Sequence, residues 1–160
     1  MCELLRKARK DEAEEILRLY RSAASAEGCT WDDNYPSAET VEADLTSGGL
    51  YVLEAGGTLA GCVSVCSERE LDGLDCWQVR EEHCEIARVA IHRTFQGRGL
   101  SVKMLLLLFR ELSASGVRSV HILAAEQNLT AQRTYKSLGF SFYGKYRMFG
   151  HCFTAAEKIL

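Results

Sequence analysis

The residue types that could do chemistry are concentrated in one glycine-containing segment, Val89–Ser101. An apolar strand pattern ends near His92, and Gly97 and Gly99 follow it before a helical pattern begins. Glycine lets the backbone adopt positive φ and approach a ligand closely. Because the first N–H groups of a helix lack internal partners, this junction predicts a phosphate site; the alternative is a plain turn between strand and helix.

Two better-defined phosphate motifs are excluded by the same segment. A Walker-type loop needs G-x-x-x-x-G-K-[ST], which the sequence lacks. A dinucleotide fingerprint needs a third glycine where Val102 stands, and an acidic residue about 20 positions further on, where residues 118–121 include none. What remains is a backbone site to which Arg93, Arg98 or Lys103 could add positive charge.

Strand and helix patterns surround this segment along the whole chain. Strands are predicted at Leu4–Ala8, Leu50–Ala55, Leu59–Val65, Cys84–His92, Val117–Ala125, Phe140–Tyr143 and Phe153–Ile159. Helices are predicted from Asp11 to Gly28, from Ser37 to Gly48, over Ser101–Leu112 and from Asn128 to Leu138. The long polar stretch Ser67–His83 is predicted to be a loop. This order predicts an α/β (α+β) domain with a mixed, largely antiparallel sheet and one strong βαβ unit over Cys84–Ala125.

Length and composition favour a single soluble domain over residues 1–160. The net charge of −3 gives no attraction to nucleic acid or to an anionic membrane. The longest apolar run, Met104–Phe109, is too short to span a bilayer. The 7 cysteines form no C-x-x-C pair and the N-terminus resembles no signal peptide, so we expect reduced thiols, no metal site and a cytoplasmic location.

Two linked motifs resemble the GNAT superfamily of N-acetyltransferases. The stretch Gln96-Gly97-Arg98-Gly99-Leu100-Ser101 follows a strand and fits [QR]-x-x-G-x-[GA], with serine in place of the last small residue. Asn128 precedes a helix that ends in Tyr135-Lys136-Ser137-Leu138-Gly139-Phe140, the pattern Y-x-x-x-G-F. The resemblance is firm over Cys84–Phe140 and implies a mixed sheet of about six to seven strands flanked by about four helices.

The resemblance also implies a cosubstrate, acetyl-CoA, and the residues that bind it. Its pyrophosphate would lie on the backbone of Gln96, Gly97, Arg98, Gly99, Leu100 and Ser101. The pantetheine would pair like an added strand with the backbones of Val89 and Ile91. The N–H of Ile91 would also polarise the thioester carbonyl. Asn128 would contact the pantetheine arm, cap its own helix, or do both.

Glu85 is the candidate general base, since it stands where some family members carry a catalytic glutamate. We expect it to share a strand face with Ala87, Val89 and Ile91, whose apolar setting would raise its pKa. The alternatives are a solvated glutamate at a strand end, a chain of waters acting as the base, or one of the rivals Glu81, Glu82 and His83.

Tyr135 is the candidate general acid for the departing thiolate, because it matches the family tyrosine. Its alternative role is a core tyrosine, since Ala131 and Leu138 share its helical face. A covalent route through Cys84 is disfavoured because no histidine is placed by a motif to activate it.

Two functions are therefore open: an enzyme that moves the acetyl group of acetyl-CoA to a primary amine by direct attack, and a non-catalytic acyl-CoA-binding or regulatory domain. The acidic residues either attract a cationic substrate or form a solvated surface; they are Glu68, Glu70, Asp72, Asp75, Glu81 and Glu82. The aromatic residues predict either an acceptor pocket or a homodimer contact; they are Trp77, Phe140, Phe142, Tyr143 and Tyr146.

Overall fold

The computed structural model describes residues 2–66 and 69–160, and these form seven strands and four α-helices. The strands are β1 (Glu3–Lys7), β2 (Leu50–Ala55), β3 (Thr58–Cys66), β4 (His83–Ile91), β5 (Ser119–Ala125), β6 (Ser141–Met148) and β7 (His151–Ile159). The helices are α1 (Ala13–Ala23), α2 (Ala38–Ser47), α3 (Leu100–Ala114) and α4 (Leu129–Ser137).

All seven strands belong to one sheet in the order β1-β2-β3-β4-β5-β7-β6. Neighbouring strands are antiparallel except β4 and β5, which run parallel. Parallel neighbours need a crossover connection, and α3 supplies it. The predicted mixed, largely antiparallel sheet with one βαβ unit is therefore confirmed.

The sheet separates two layers of helices. On one face α3 and α4 bury a core that includes Met104, Leu105 and Leu108, all with no exposed surface. On the other face α1 and α2 bury Ile16 and Val41 against alternate strand residues. Alternation along the strands supplies both cores, since successive side chains point to opposite faces.

Capping residues fix the ends of helices α2 and α4. The Ser37 side chain accepts a hydrogen bond from the N–H of Thr40 (3.2 Å) and begins α2. Asn128 begins α4 in the same way by accepting from the N–H of Ala131 (3.1 Å), which confirms its predicted capping role. Gly139, at a φ of 86°, ends the last turn of α4.

Strand β6 is longer than the predicted Phe140–Tyr143, because it begins at Ser141 and continues to Met148. Its register against β7 shifts between Phe142 and Lys145. This irregularity interrupts the alternation of apolar and polar residues, which is the signal that a sequence offers for a strand.

The segment between β3 and β4 is packed onto the sheet. Leu71 and Trp77 are buried there with Ala155 of β7, and the indole N–H of Trp77 donates to the carbonyl of Leu71 (2.8 Å). Glu68, one of the acidic residues singled out above, lies outside the described residues. Over residues 2–66 and 69–160, no helix combines the length and apolar character needed to cross a bilayer.

Candidate active site

The sheet opens between its two parallel strands. Strands β4 and β5 pair only where His83–Glu85 lie beside Ser119–His121. Beyond this point β4 continues along β3 to Ile91, while β5 continues along β7 to Ala125. The carboxyl halves of the two strands therefore diverge, and a cleft forms in the sheet with Glu85 at its apex.

A β-bulge shapes the wall of this cleft. Ala87 pairs with Ser64 and Ala90 with Cys62, so that two residues of β4, Arg88 and Val89, lie opposite one residue of β3. Arg88 adopts a φ of 51°, which non-glycine residues rarely do. Because of the extra residue, the side chains of β4 that follow the bulge point to the opposite face of the sheet from the one that regular alternation would give them.

The bulge leaves backbone groups of β4 directed into the cleft. The N–H of His92 donates to the carbonyl of Ala60 in β3 (2.7 Å). Because backbone groups alternate along a strand, those of Val89 and Ile91 point away from β3, toward the side where β5 has diverged. These two residues therefore present an open strand edge, the arrangement that accepts an extended ligand.

The loop after β4 connects this edge to the start of α3. The side-chain amide of Gln96 donates to the carbonyl of Ile91 (3.1 Å), which ties the loop to the strand. Gly97 and Gly99 have φ values of 77° and 72°. Gly99 is the N-cap of α3 and offers no side chain, so the first N–H groups of the helix remain open to an anion.

The other loop residues are placed as follows. Leu100 is buried in the core, so only its backbone can face a ligand. The guanidinium of Arg98 lies over the ring of Phe95, 5.4 Å from its centroid. Lys103 forms an ion pair with Glu3 of β1. The charge of this lysine, which the sequence predicted could contribute to a phosphate site, is therefore already paired. Ser101 is half-buried in the first turn of α3.

Glu85 is 4 % exposed, and its Oε1 accepts a hydrogen bond from the N–H of Leu71 (2.6 Å). Burial raises the pKa of Glu85, although the N–H of Leu71 opposes the shift. Glu85 is therefore not a solvated glutamate at a strand end, which was one of the alternatives that the sequence left open. The expectation that Glu85 shares a face with Val89 and Ile91 was wrong, because the bulge moves those two residues to the core beneath α3.

The structure also shows the surroundings of the other candidate bases and of Cys84. His83 is buried, and its Nε2 lies 2.7 Å from Asp72 Oδ1. Glu81 and Glu82 are exposed. Burial raises the pKa of the Cys84 thiol to about 12, so the thiol stays protonated and is a poor nucleophile.

Tyr135 is 5 % exposed and packs in the core beside α3, its ring centroid 5.4 Å from that of Phe140. Burial raises the pKa of its phenol well above the usual range, so the hydroxyl holds its proton at neutral pH. This placement suits a proton donor and equally a core tyrosine, the alternative that its helical neighbours predicted.

Most of the predicted aromatic and acidic residues serve internal contacts. The indole of Trp77 stacks on His121 with the centroids 4.0 Å apart, and Phe140 packs on Tyr135. The hydroxyl of Tyr146 donates to Asp75 (3.2 Å). Asp72 binds His83, whereas Glu70, Glu81 and Glu82 are exposed.

Sequence reasoning missed a buried polar cluster around Glu157 of β7. Glu157 is 1 % exposed and accepts hydrogen bonds from the N–H groups of Gln78 and Val79 and the hydroxyl of Tyr143. Its Oε2 also lies 3.0 Å from Nε2 of His121. The only signal in the sequence was that Glu157 lies two residues after Ala155, so both side chains point to the same, inward-facing side of β7.

This cluster gives a prediction about stability. Burial opposes ionisation of Glu157, but its N–H and hydroxyl donors lower its pKa to about 2. The ionised carboxylate therefore stabilises the fold above the unfolded-state value near 4.5, and the stabilisation is lost as pH falls toward 2. We expect Glu157→Gln to lower the free energy of unfolding at pH 7 by about 3 kcal/mol, measured by urea denaturation.

The matched control is Glu126→Gln, which removes an exposed carboxylate paired with Lys145. An exposed ion pair contributes about 0–1 kcal/mol, so this variant should stay close to the parent. Equal stability of Glu157→Gln and the parent at pH 7 would contradict the assigned role, as would a difference that does not shrink below pH 5.

A cavity of about 380 Å³ adjoins the carboxyl end of β5. It is lined by Thr30, Glu126, Gln127, Arg147, Gly150, His151 and Cys152. The loop after α1 reaches this end of the sheet, since a Cβ on Gly28 would lie 2.4 Å from the carbonyl oxygen of Gln127. The cavity thus lies between that loop, the loop after β5 and the turn between β6 and β7.

Comparison with known proteins agrees with this geometry. The family model of the GNAT acetyltransferases matches residues 10–140, and the chain therefore belongs to the acetyltransferase (GNAT) family. None of the curated proteins matches the sequence.

Solved structures share the fold over nearly the whole chain. A GNAT-family acetyltransferase from Streptococcus agalactiae is 24% identical, with a TM-score of 0.84 over 99% of this chain and 95% of its own. The yncA protein from Salmonella typhimurium, solved with its cofactor acetyl-CoA, is 23% identical, with a TM-score of 0.73 over 99% and 94%. The ribosomal-protein-S18-alanine N-acetyltransferase from Escherichia coli is 17% identical, with a TM-score of 0.71 over 98% and 91%. At these identities the likeness shows the fold.

Proposed function

We propose that this protein is an N-acetyltransferase that moves the acetyl group of acetyl-CoA to a primary amine by direct attack. The observation that carries the proposal is the open edge of Val89 and Ile91, which leads directly into the uncapped start of α3. Together they offer an extended slot and an anion site on one strand-loop-helix unit. This pairing suits a ligand with a hydrogen-bonding arm and a pyrophosphate.

In the proposed complex the pantetheine arm lies in the cleft and pairs with β4. The pyrophosphate is bound by the loop from Gln96 to Ser101, chiefly through backbone N–H groups. The N–H of Ile91 donates to the thioester carbonyl and stabilises the oxyanion that forms there. Asn128 caps α4 at the opposite wall of the cleft and borders the arm. The acetyl-CoA bound by yncA supports this cosubstrate.

Transfer then needs one base and one acid. Glu85 takes a proton from the substrate ammonium, and the neutral amine nitrogen attacks the thioester carbonyl carbon. The tetrahedral intermediate collapses with cleavage of the C–S bond. Tyr135 donates its proton to the departing thiolate and regains one from solvent, while the attacking nitrogen releases its second proton to solvent, so the products are an amide and CoA. The raised pKa of Glu85 suits it to accept a proton nearer neutrality than an ordinary carboxylate does.

The cavity at the end of β5 is the proposed acceptor site. It lies beside the loop after α1, at the end of the sheet where β4 and β5 have diverged. The ribosomal-protein-alanine enzyme supports an amine acceptor in this family. The cysteine content of the sequence supports a cytoplasmic enzyme. A homodimer stays a prediction.

Calorimetric titration with acetyl-CoA, CoA and NAD tests the cofactor assignment. We expect saturable binding of acetyl-CoA and CoA and no binding of NAD. Binding of none of the three would contradict the proposal. Binding of acetyl-CoA without transfer to any amine would instead indicate a non-catalytic acyl-CoA-binding domain.

Substitution of Gly99 tests the loop. At a φ of 72° a β-branched residue is strained, and the strain distorts the start of α3. We expect Gly99→Val to weaken acetyl-CoA binding roughly 10- to 100-fold, measured by calorimetry. The matched control is Gly57→Val, which carries the same kind of strain at a φ of 80° in the hairpin turn of β2 and β3. Equal affinities of the two variants would remove the loop from the binding site.

A further inference from the structure

An ion pair connects the bulge of β4 to helix α2. Arg88 donates from Nε to Asp44 Oδ2 (2.8 Å) and from Nη2 to Asp44 Oδ1 (2.8 Å). Each of the two side chains is 12 % exposed. This two-point geometry fixes the orientation of the guanidinium as well as its position.

Two further contacts complete the arrangement. Asp44 Oδ2 accepts a hydrogen bond from the hydroxyl of Ser64 (2.7 Å), which stands on β3 directly before the bulge. Arg88 Nη1 donates to the hydroxyl of Tyr35 (3.1 Å), in the loop that leads to α2. The bulge residue is thus tied to α2, to the neighbouring strand and to the loop between α1 and α2.

The backbone conformation of Arg88 depends on contacts of this kind. A φ of 51° costs free energy for any residue with a Cβ, and such strain persists only where the surroundings enforce it. The peptide between Arg88 and Val89 lies within the bulge. Its orientation decides whether the following N–H groups of β4 point into the cleft or elsewhere.

We propose that the ion pair of Asp44 and Arg88 is a positioning device: it fixes the direction of the N–H groups of β4 that follow the bulge, so that the N–H of Ile91 is aimed at the thioester carbonyl. The inference rests on the proposed function and deepens it. Arg88 and Asp44 are positioning residues, because they act through the backbone of β4 and not on the reacting atoms. Loosening the pair lowers turnover by weakening polarisation of the carbonyl and leaves the pyrophosphate site intact.

The test measures carbonyl polarisation together with kinetics in Asp44→Asn. Acetyl-CoA labelled with ¹³C at the thioester carbonyl reports polarisation as a downshift of its infrared stretching frequency on binding. We expect the variant to lose part of that downshift and at least roughly tenfold in kcat, since a displaced oxyanion donor is costly. The Kd for acetyl-CoA should stay within about twofold of the parent.

Two variants separate positioning from general stability. Glu12→Gln breaks another shielded ion pair, with Arg6 (2.5 Å), at the far edge of the sheet, and should leave kcat and the carbonyl frequency unchanged. Arg88→Gly removes the tie but tolerates the positive φ, so the fold should persist while kcat falls as in Asp44→Asn. Wild-type kcat and carbonyl frequency in both Asp44→Asn and Arg88→Gly would overturn the inference. A parent protein that binds no acetyl-CoA would instead overturn the proposed function.

Discussion

Tyr135→Phe should lower kcat for acetyl transfer by about 10²- to 10⁴-fold, the usual contribution of a general acid. The phenol is buried and its pKa is raised, so it holds a proton that can pass to the CoA thiolate. Phenylalanine keeps the ring and its contact with Phe140 but has no proton to give. The Kd for acetyl-CoA should therefore change little while turnover falls.

The matched control for this variant is Tyr20→Phe. It also removes a buried hydroxyl, but from the core beneath α1 on the opposite face of the sheet. Steady-state rates at saturating acetyl-CoA provide the comparison. If Tyr135→Phe turned over as fast as the parent, Tyr135 would be a core residue and the acid would have to be sought elsewhere.

Glu85→Gln should cost roughly 10²-fold in kcat/KM near neutral pH and much less at high pH. A glutamine cannot accept the proton of the substrate ammonium, whereas an amine that is already deprotonated needs no base. The glutamine oxygen can still accept from the N–H of Leu71, so the local fold should remain. In the parent, the rate should fall as pH drops through the raised pKa of Glu85, and this acid limb should disappear in the variant.

Glu81→Gln is the control for this experiment, because Glu81 is an exposed rival only four residues away. It should retain the parent pH profile. A loss in Glu85→Gln that is the same at every pH would indicate a structural role through Leu71. A loss in Glu81→Gln with none in Glu85→Gln would move the base to the loop.

The sequence was informative wherever the signal is local. Ser37 and Asn128 mark helix starts because a side chain accepts from an N–H three residues on, and Gly99 marks a turn through its positive φ. These features depend on a few adjacent residues. The loop from Gln96 to Ser101 could therefore be recognised, and its position after β4 predicted, without any tertiary information.

The parts that were missed depend on contacts between distant segments. The bulge at Arg88 adds one residue to β4 and reverses the faces that follow, so alternation alone placed Glu85 with Val89 incorrectly. Arg88 binds Asp44, 44 residues away in the sequence. The cluster around Glu157 likewise joins β5, β7 and the loop before β4, and no local pattern reports such a meeting.

The most direct test of the central claim is acetyl transfer from acetyl-CoA to a panel of primary amines, including peptides with a free N-terminal alanine. Release of CoA and the mass of the acetylated amine should be measured in the same reaction. The account predicts equal amounts of CoA and N-acetyl product for at least one amine, with no product when acetyl-CoA is omitted. CoA release without any acetylated amine, or no release with any amine despite acetyl-CoA binding, would contradict it.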